Sequence, residues 1–339
     1  MYKVGIIGAG RMGRRRAATA QAHPASAVTL IYDEHAPDAA ELAAECGAAV
    51  AASWEELIAA DLDIAVVATT HDALAPISAA ALLAGKHVLC EKPLGRNPRE
   101  ARQAVAAAEQ SGRVLKVGYN HRYHPAIQKL HEVCTAGEIG PLLSIRARYG
   151  HGGRPGYERE WRTNPEKAGG GELLDQGAHL IDLSKWLLGD FAEVTGYVET
   201  HFWDAPVEDN AYGLFRTATG QIASLHASWT QWKNLFSFEV FGRDGYVCVE
   251  GLGGAYGPER AVVGRRNPQG GAPDSERFDY PDEDRSWELE WADFLRGLAS
   301  AGTPYSLGQE ALETIEWIYR LYRAAAERRF VRREEPLNM

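Results

Sequence analysis

The chain has 339 residues, enough for two domains of ordinary size. Its 45% hydrophobic and 24% charged residues suit a globular protein. No apolar run nears the roughly 18 residues of a spanning helix, which excludes a helical membrane protein. With 36 basic against 46 acidic residues, a formal net charge of −10, it lacks the basic footprint that nucleic-acid binding requires.

Met1 leads directly into the apolar run Val4-Gly5-Ile6-Ile7, without the hydrophobic core and cleavage site of a secretory leader. Cys46, Cys90, Cys134 and Cys248 are scattered and form no CxxC pair. Together these features imply a reduced, cytoplasmic protein with neither a disulfide framework nor a zinc knuckle.

The first 120 or so residues alternate short apolar strands with Ala-rich helices. Strands are expected at Lys3–Gly8, Val28–Asp33, Ala48–Ala51, Ile64–Ala68, His87–Glu91 and Val114–Gly118. They are rich in Val, Ile and Leu without polar alternation, the pattern of strands covered on both faces. Helices are expected near Met12–Ala22, Pro37–Cys46, Trp54–Ala60, Ala73–Ala84 and Pro98–Ser111, with Ser53 and Glu56 forming a capping-box pattern. Such alternation implies a doubly wound parallel sheet of the Rossmann kind.

From about residue 122 the pattern changes. A helix near Ala126–Ala136 precedes a strand at Leu142–Tyr149, a loop over Gly150–Gly170 and a helix at Glu172–Leu188. Segments alternating apolar and polar residues follow at Glu193–Trp203, Asn210–Thr217, Gln221–Trp232, Leu235–Phe241 and Tyr246–Glu250. Thr219-Gly220 and Asp244-Gly245 are turn signals between them. This predicts an α+β domain with an open, largely antiparallel sheet. Arg265–Asp284 reads as a surface loop, and helices near Ser286–Ala299 and Gln309–Arg328 close the chain. The expected division is 1–121 and 122–339, with the C-terminal helix able to pack back on the first domain. Trp203, Phe215, Trp229, Trp232, Phe236 and Phe238 are more large apolar side chains than one face of a sheet hides, which predicts a homodimer or homotetramer built through it.

Gly8-Ala9-Gly10-Arg11-Met12-Gly13 follows a strand and opens a helix. The first glycine serves the turn, the second lets backbone approach a pyrophosphate, and the third allows close helix–strand packing. Asp33 ends the next strand, 20 residues after Gly13, where its carboxylate would bind the adenosine ribose. It would repel a 2′-phosphate, and no Arg or Lys follows in Glu34-His35, so NAD is favoured over NADP. The cluster from Arg11 to Arg16 reads as a solvated helix face, with Arg11 near an anionic ligand.

Glu91-Lys92-Pro93 stands at the carboxyl end of the fifth strand, so Lys92 should project where ligands bind and can stabilise an alkoxide. The run Gly169-Gly170-Gly171 precedes Asp175, His179 and Asp182, spaced to lie on one helical face, with the glycines letting the helix approach cofactor or substrate. An imidazole there can take a hydroxyl proton as hydride leaves. No further ligand cluster supports a metal. In the loop before this helix, His151, Arg154, Tyr157, Trp161 and Arg162 are candidate substrate contacts, aromatic rings suiting sugar faces and arginines suiting phosphate or carboxylate. In the competing reading these arginines pair with Glu158, Glu160 and Glu166.

With Val66-Val67-Ala68-Thr69-Thr70, Ala84-Gly85-Lys86-His87-Val88-Leu89-Cys90-Glu91-Lys92-Pro93-Leu94 and Tyr119-Asn120-His121-Arg122-Tyr123, these motifs resemble the glucose–fructose oxidoreductase / inositol dehydrogenase / rhizopine-catabolism (Gfo/Idh/MocA) family over nearly the whole chain. The resemblance implies an NAD(P)-dependent oxidoreductase acting on a secondary alcohol or ketone of a sugar, cyclitol or nucleotide-linked sugar. It implies Lys92 as catalytic lysine, His179 as acid/base and Asp175 as its charged companion. It also places Thr69, Thr70, His71, Glu91, Lys92 and Asn120 at the cofactor and Arg122 and Tyr149 at the substrate. The chain departs from the family pattern at Thr70, His71 and Leu74, where Pro, Asn and His are common. A dinucleotide or sugar sensor without turnover and an NAD-dependent glycoside hydrolase are the alternatives on the same fold.

Overall fold

Val4, Ile6 and Ile7 are fully buried because the strand that carries them, β1 (Tyr2–Ile7), lies inside a parallel sheet with helices around it. This is the arrangement in the computed structural model of the chain, which describes residues 1–300 and 307–337. The other strands are β2 (Ser26–Tyr32), β3 (Ala49–Val50), β4 (Ile64–Val67), β5 (His87–Cys90) and β6 (Leu115–Val117). Their order is β3-β2-β1-β4-β5-β6, and every pair is parallel. The order reverses between β1 and β4, the switch point at which such sheets bind ligands beyond their carboxyl ends. Helices α1 (Arg11–Ala22), α2 (Ala36–Cys46), α3 (Trp54–Ala59), α4 (His71–Leu83) and α5 (Pro98–Ser111) connect the strands. Ser53 caps α3 as its sequence predicts, its Oγ accepting the Glu56 N–H at 3.1 Å.

This sheet belongs to the first of two compact units, formed by Met1–Asn120, Glu166–Gly169 and Trp287–Ile315. Trp291 and Phe294, on the helix Ser286–Ser300, join Val4, Ile6, Ile31, Val66 and Leu89 in one core. Trp291 Nε1 also donates to Ser26 Oγ at 3.0 Å, which fixes that helix to the start of β2.

The second unit comprises His121–Pro165, Gly170–Ser286 and the chain from Glu316 onward. Its strands are β7 (Leu142–Gly150), β8 (Phe191–Glu199), β9 (Asn210–Thr217), β10 (Ile222–Ser228), β11 (Leu235–Gly242), β12 (Gly245–Glu250), β13 (Glu259–Arg265), β14 (Asp274–Tyr280) and β15 (Val331–Arg332). They form a nine-stranded sheet ordered β14-β13-β12-β11-β7-β10-β9-β8-β15, antiparallel except where β10 meets β7. Strand alternation sends Ile145, Ala147, Phe215, Leu225, Phe236, Phe238 and Val247 to a buried inner face.

Three expectations are corrected here. Residues Arg265–Asp284 are not a loop throughout, because Asp274–Tyr280 pairs with β13 in register Arg265↔Asp274. It is an edge strand that is polar on nearly every position, so no apolar period betrays it. The strand expected to reach Trp203 ends at Glu199, since the Asp209 carboxylate gathers the backbone N–H groups of His201, Phe202 and Trp203 at 2.8–3.0 Å and turns the chain. Finally, Phe215, Trp229, Phe236 and Phe238 are buried within the chain itself, and only Trp232, 65% exposed, is an exposed member of the aromatic set proposed for an interface.

Arg16, read from sequence as part of a solvated face, is 1% exposed. Its guanidinium donates to Glu91 Oε1 at 2.7 Å and Glu290 Oε2 at 2.6 Å, and its Cζ lies 4.4 Å from the Trp287 ring centroid. Lys116 Nζ adds a second buried cation 3.7 Å from Asp293. The two carboxylates keep Arg16 charged against the pull of burial. Removing one partner of such a group leaves uncompensated charge in the interior. Arg16→Met is therefore expected to lower unfolding free energy by about 3–5 kcal/mol in urea titration. Arg14→Met, which breaks partly exposed pairs to Glu41 and Glu45, should cost less than about 1 kcal/mol. Equal losses in the two variants would contradict this reading.

Candidate active site

The glycine loop divides its three glycines between two demands. Gly8 has φ +101°, and a Cβ there would lie 2.4 Å from the Ala68 carbonyl oxygen. A Cβ at Gly13 would lie 1.7 Å from the Gly8 oxygen. The protein itself requires both. Gly10 differs, since a Cβ there would meet nothing within 4 Å. It is exposed and is the N-cap of α1, with no side chain bonded to the cap. Its smallness keeps open the space beside the first-turn N–H groups, where the dipole favours a phosphate. The loop therefore fits a dinucleotide.

Asp33 ties this loop to the end of β2, its Oδ2 accepting the Ala9 N–H at 2.6 Å and its Oδ1 the His35 N–H at 2.8 Å. Each carboxylate oxygen has further acceptor capacity for ribose hydroxyls. Arg11 is exposed and Met12 half-buried on the first turn of α1. Thr69 and Thr70 follow β4, and Thr70 Oγ1 donates to Asp72 at 2.6 Å. His71 is buried with Nδ1 on the Ala168 carbonyl at 2.9 Å, and Glu91 is buried on Arg16, so these two side-chain heads already serve the protein. Lys92 is half-buried just beyond β5, and its peptide bond to Pro93 is cis. Asn120 is buried at the start of the 3-10 turn Asn120–Tyr123.

In the second unit, Leu173–Gly177 winds as a π-turn and the α-helix Ala178–Leu188 continues from it. Asp175 thus lies in the π-turn, with His179 and Asp182 on the α-helix that continues it. Each carboxylate has its own partner. Arg162 Nε lies 3.2 Å from Asp175 Oδ2, whereas Asp182 receives both Nε and Nη2 of Arg122, at 2.8 and 2.7 Å, in the interior. Arg122, expected at the substrate, is a clamp on the helix. His179 is buried, and His121 stacks on it with ring centroids 3.7 Å apart and planes 21° from parallel. Tyr149, Phe236 and His124 surround the edge of the His121 ring at 5.2–5.7 Å.

Glu208, which the sequence does not single out, holds the start of the π-turn. Its carboxylate accepts the N–H groups of Gly171 and Leu173 at 2.9 and 3.1 Å and the Tyr322 hydroxyl at 2.7 Å. Burial pushes its carboxyl above the usual range, against those three donors. A Cβ on Gly170 would sit 2.3 Å from the Tyr322 hydroxyl, and one on Gly171 would sit 1.9 Å from the Glu208 carbonyl. The glycines expected to admit a ligand are thus required by these internal neighbours.

The loop after β7 carries Tyr157, buried with Trp229 and Val207, and the half-buried Trp161 under the Arg162 guanidinium. His151 Nδ1 accepts the Gly153 N–H at 2.9 Å. Arg154 pairs with Glu160 at 2.6 Å and Arg159 with Glu158 at 3.3 Å. Tyr256 joins Tyr149, with centroids 5.3 Å apart, and receives a hydrogen bond from Gln176 Nε2 at 3.2 Å.

The different demands on the glycines give a test. Gly10→Ala should keep stability within about 1 kcal/mol, the usual span for a cap change, while weakening NAD binding at least tenfold. Gly13→Ala should unfold at clearly lower urea concentration. Calorimetric NAD affinity and urea midpoints, measured on both variants, separate the two; unchanged affinity in Gly10→Ala would sink the assignment.

Comparison with known proteins agrees with this geometry. Residues 2–119 match the oxidoreductase family with an NAD-binding Rossmann fold, and residues 127–248 match the GFO/IDH/MocA C-terminal domain. The chain is 33% identical over 250 residues to 1,5-anhydro-D-fructose reductase of Ensifer adhaerens, covering 72% of this chain and 74% of that protein. It is 29% identical over 281 residues to levoglucosan dehydrogenase of Pseudarthrobacter phenanthrenivorans, covering 72% of each. A solved structure of levoglucosan dehydrogenase in complex with NADH shares the fold, with a TM-score of 0.89 at 23% identity over 99% of this chain and 100% of that one. The chain belongs to the GFO/IDH/MocA family of NAD-binding oxidoreductases.

Proposed function

We propose that the enzyme oxidises or reduces a secondary alcohol or ketone on a sugar, cyclitol or nucleotide-linked sugar. One observation carries the reading. In a chain of an NAD-binding oxidoreductase family, a lysine ends the fifth strand while an arginine-paired aspartate and a buried histidine share one π-to-α segment. The activities named for its relatives, on anhydrofructose and levoglucosan, support the sugar class, as do the aromatic rings of the loop after β7.

The loop Gly8 to Gly13 and Asp33 would hold the dinucleotide, with Thr69, Thr70, His71, Glu91, Lys92 and Asn120 bordering it. When bound, NAD supplies the hydride acceptor, or NADH the donor. In the oxidative direction His179 takes the proton of the substrate hydroxyl. Lys92 donates a hydrogen bond to the same oxygen and stabilises the negative charge that develops there. Asp175 orients the site and favours the cationic forms of its neighbours. Tyr149, His151, Tyr157 and Trp161 are assigned to substrate. Asp33 disfavours a 2′-phosphate, so NAD is the preferred cofactor. The free thiols Cys46, Cys90, Cys134 and Cys248 suit a reducing cytoplasm.

His179→Ala should lower turnover roughly 10²–10⁴-fold. NAD affinity should be almost unchanged. Lys92→Ala should be at least as damaging, since it removes a charge and a hydrogen bond together. Steady-state turnover on sugars alongside NAD and NADP titrations by fluorescence checks all of this. Near-wild-type turnover in both variants, or tighter binding of NADP than NAD, would reject the corresponding assignment.

The outer face of the second unit's sheet is assigned to self-association. Tyr197, 69% exposed, lies opposite Tyr212, whose ring stacks on His226 at 4.1 Å. Leu214, 49% exposed, and Ile222 extend the same face. Exposed apolar side chains set among charged ones on one sheet face suit burial against a second copy. Light scattering at micromolar concentration should give a dimer or tetramer, and Leu214→Arg should shift it toward monomer. A monomeric mass for the unaltered protein would exclude the assembly.

A further inference from the structure

We infer that the sugar this enzyme acts on is uncharged, neither a phosphate ester, nor a uronate, nor a nucleoside-diphosphate sugar. The inference rests on the dehydrogenase reading above and narrows its substrate class. Recognition of an anionic sugar requires cationic donors available to it, with a local field that favours a negative charge.

The cationic candidates of the second unit are already committed. Arg122 is buried in a two-pronged pair with Asp182. Arg162 bonds Asp175 at 3.2 Å and lies 4.0 Å from Glu160, and Arg154 reaches the same Glu160 at 2.6 Å. The exposed Arg159 pairs with Glu158. His151 accepts the Gly153 N–H on Nδ1, a bond that only a neutral imidazole can make. The loop arginines thus share Glu158, Glu160 and Asp175, three carboxylates for three guanidinium groups.

Glu172 adds a fully buried carboxyl beside them. Its influence reaches the phenols, since burial first, and then Glu172 and Asp175, hold the Tyr149, Tyr157 and Tyr256 hydroxyls above their ordinary range, Tyr256 at about 12. These hydroxyls therefore stay protonated and serve as neutral donors and acceptors. The surroundings are aromatic and hydrogen-bonding, and the loop's three guanidinium groups are matched by carboxylates. They suit a polyhydroxylated ring with apolar faces, and an added anion has to compete with the carboxylates already on those guanidinium groups.

The test uses the full-length enzyme, NAD and a panel of uncharged aldopyranoses, each matched with its 6-carboxylate, 6-phosphate and uridine-diphosphate ester. At low ionic strength the best uncharged sugar should exceed its matched anions at least a hundredfold in kcat/KM. The gap should narrow in high salt as screening weakens the repulsion. Glu160→Gln, which releases Arg154 and one partner of Arg162, should shrink the gap about tenfold and leave kcat on the uncharged sugar unchanged. A matched anion that equals or exceeds its uncharged counterpart overturns the inference but leaves the dehydrogenase standing. A gap unmoved by both salt and Glu160→Gln overturns its electrostatic basis. If no member of the panel reduces NAD, the dehydrogenase reading itself fails, and this inference with it.

Discussion

The first unit depends on a charge that the sequence hides inside a helix. Arg16 sits one turn beyond Met12 on α1, and its guanidinium reaches the carboxylate of Glu91, immediately before Lys92. A single buried ion pair therefore joins the helix whose N-terminus faces the phosphate space to the strand end that presents the lysine. Glu290 completes the pair from the helix Ser286–Ser300. A buried pair of this kind is weak evidence for added stability, because desolvation offsets much of the attraction. Its geometric consequence is firmer. Three segments far apart in sequence must arrive together before any one of the charges is satisfied, so Lys92 inherits its position from α1.

The second unit solves the same problem with a carboxylate and backbone. Glu208 gathers two N–H groups at the start of the π-turn and the hydroxyl of Tyr322. Arg122 clamps Asp182 at the next stage of the same segment. His179 lies between these two anchors in sequence, on the α-helix that continues the π-turn. Within the π-turn, Asp175 meets Arg162 on the loop after β7.

Much of this was legible in the sequence, for identifiable reasons. The parallel sheet showed itself because strands covered on both faces are continuous apolar runs, and the glycine loop because the tight turn, the close helix packing and the phosphate space each call for a glycine at a fixed place. The buried role of Arg16 was not legible, since its partners Glu91 and Glu290 are 75 and 274 residues away. Local reading can only assign such an arginine to the exposed face of its helix. Glu208 escaped for the same reason, its partners lying 35 to 114 residues distant. The run of glycines before the helix was visible, but its cause was not. The Tyr322 hydroxyl crowds Gly170 and the Glu208 backbone carbonyl crowds Gly171, and neither residue is a sequence neighbour. The polar edge strand Asp274–Tyr280 carried no periodic signal at all.

The stacking of His121 on His179 follows from these constraints and has a consequence for proton transfer. Two imidazole rings 3.7 Å apart form a coupled pair, because a second positive charge at that separation is strongly opposed. His124, at 5.5 Å from His121, is tied to Glu259 at 2.9 Å and faces Asp284 at 3.8 Å. Tyr149 completes the surroundings with a hydroxyl that stays protonated. The arrangement therefore resists two protons on the stacked pair. The role proposed for His179, neutral before it accepts a hydroxyl proton, is served by a neighbour with which it does not share two positive charges. The neighbour comes from Tyr119-Asn120-His121-Arg122-Tyr123, the same segment whose Arg122 fixes the helix through Asp182. One short turn thus sets both the position of His179 and the charge it is able to carry.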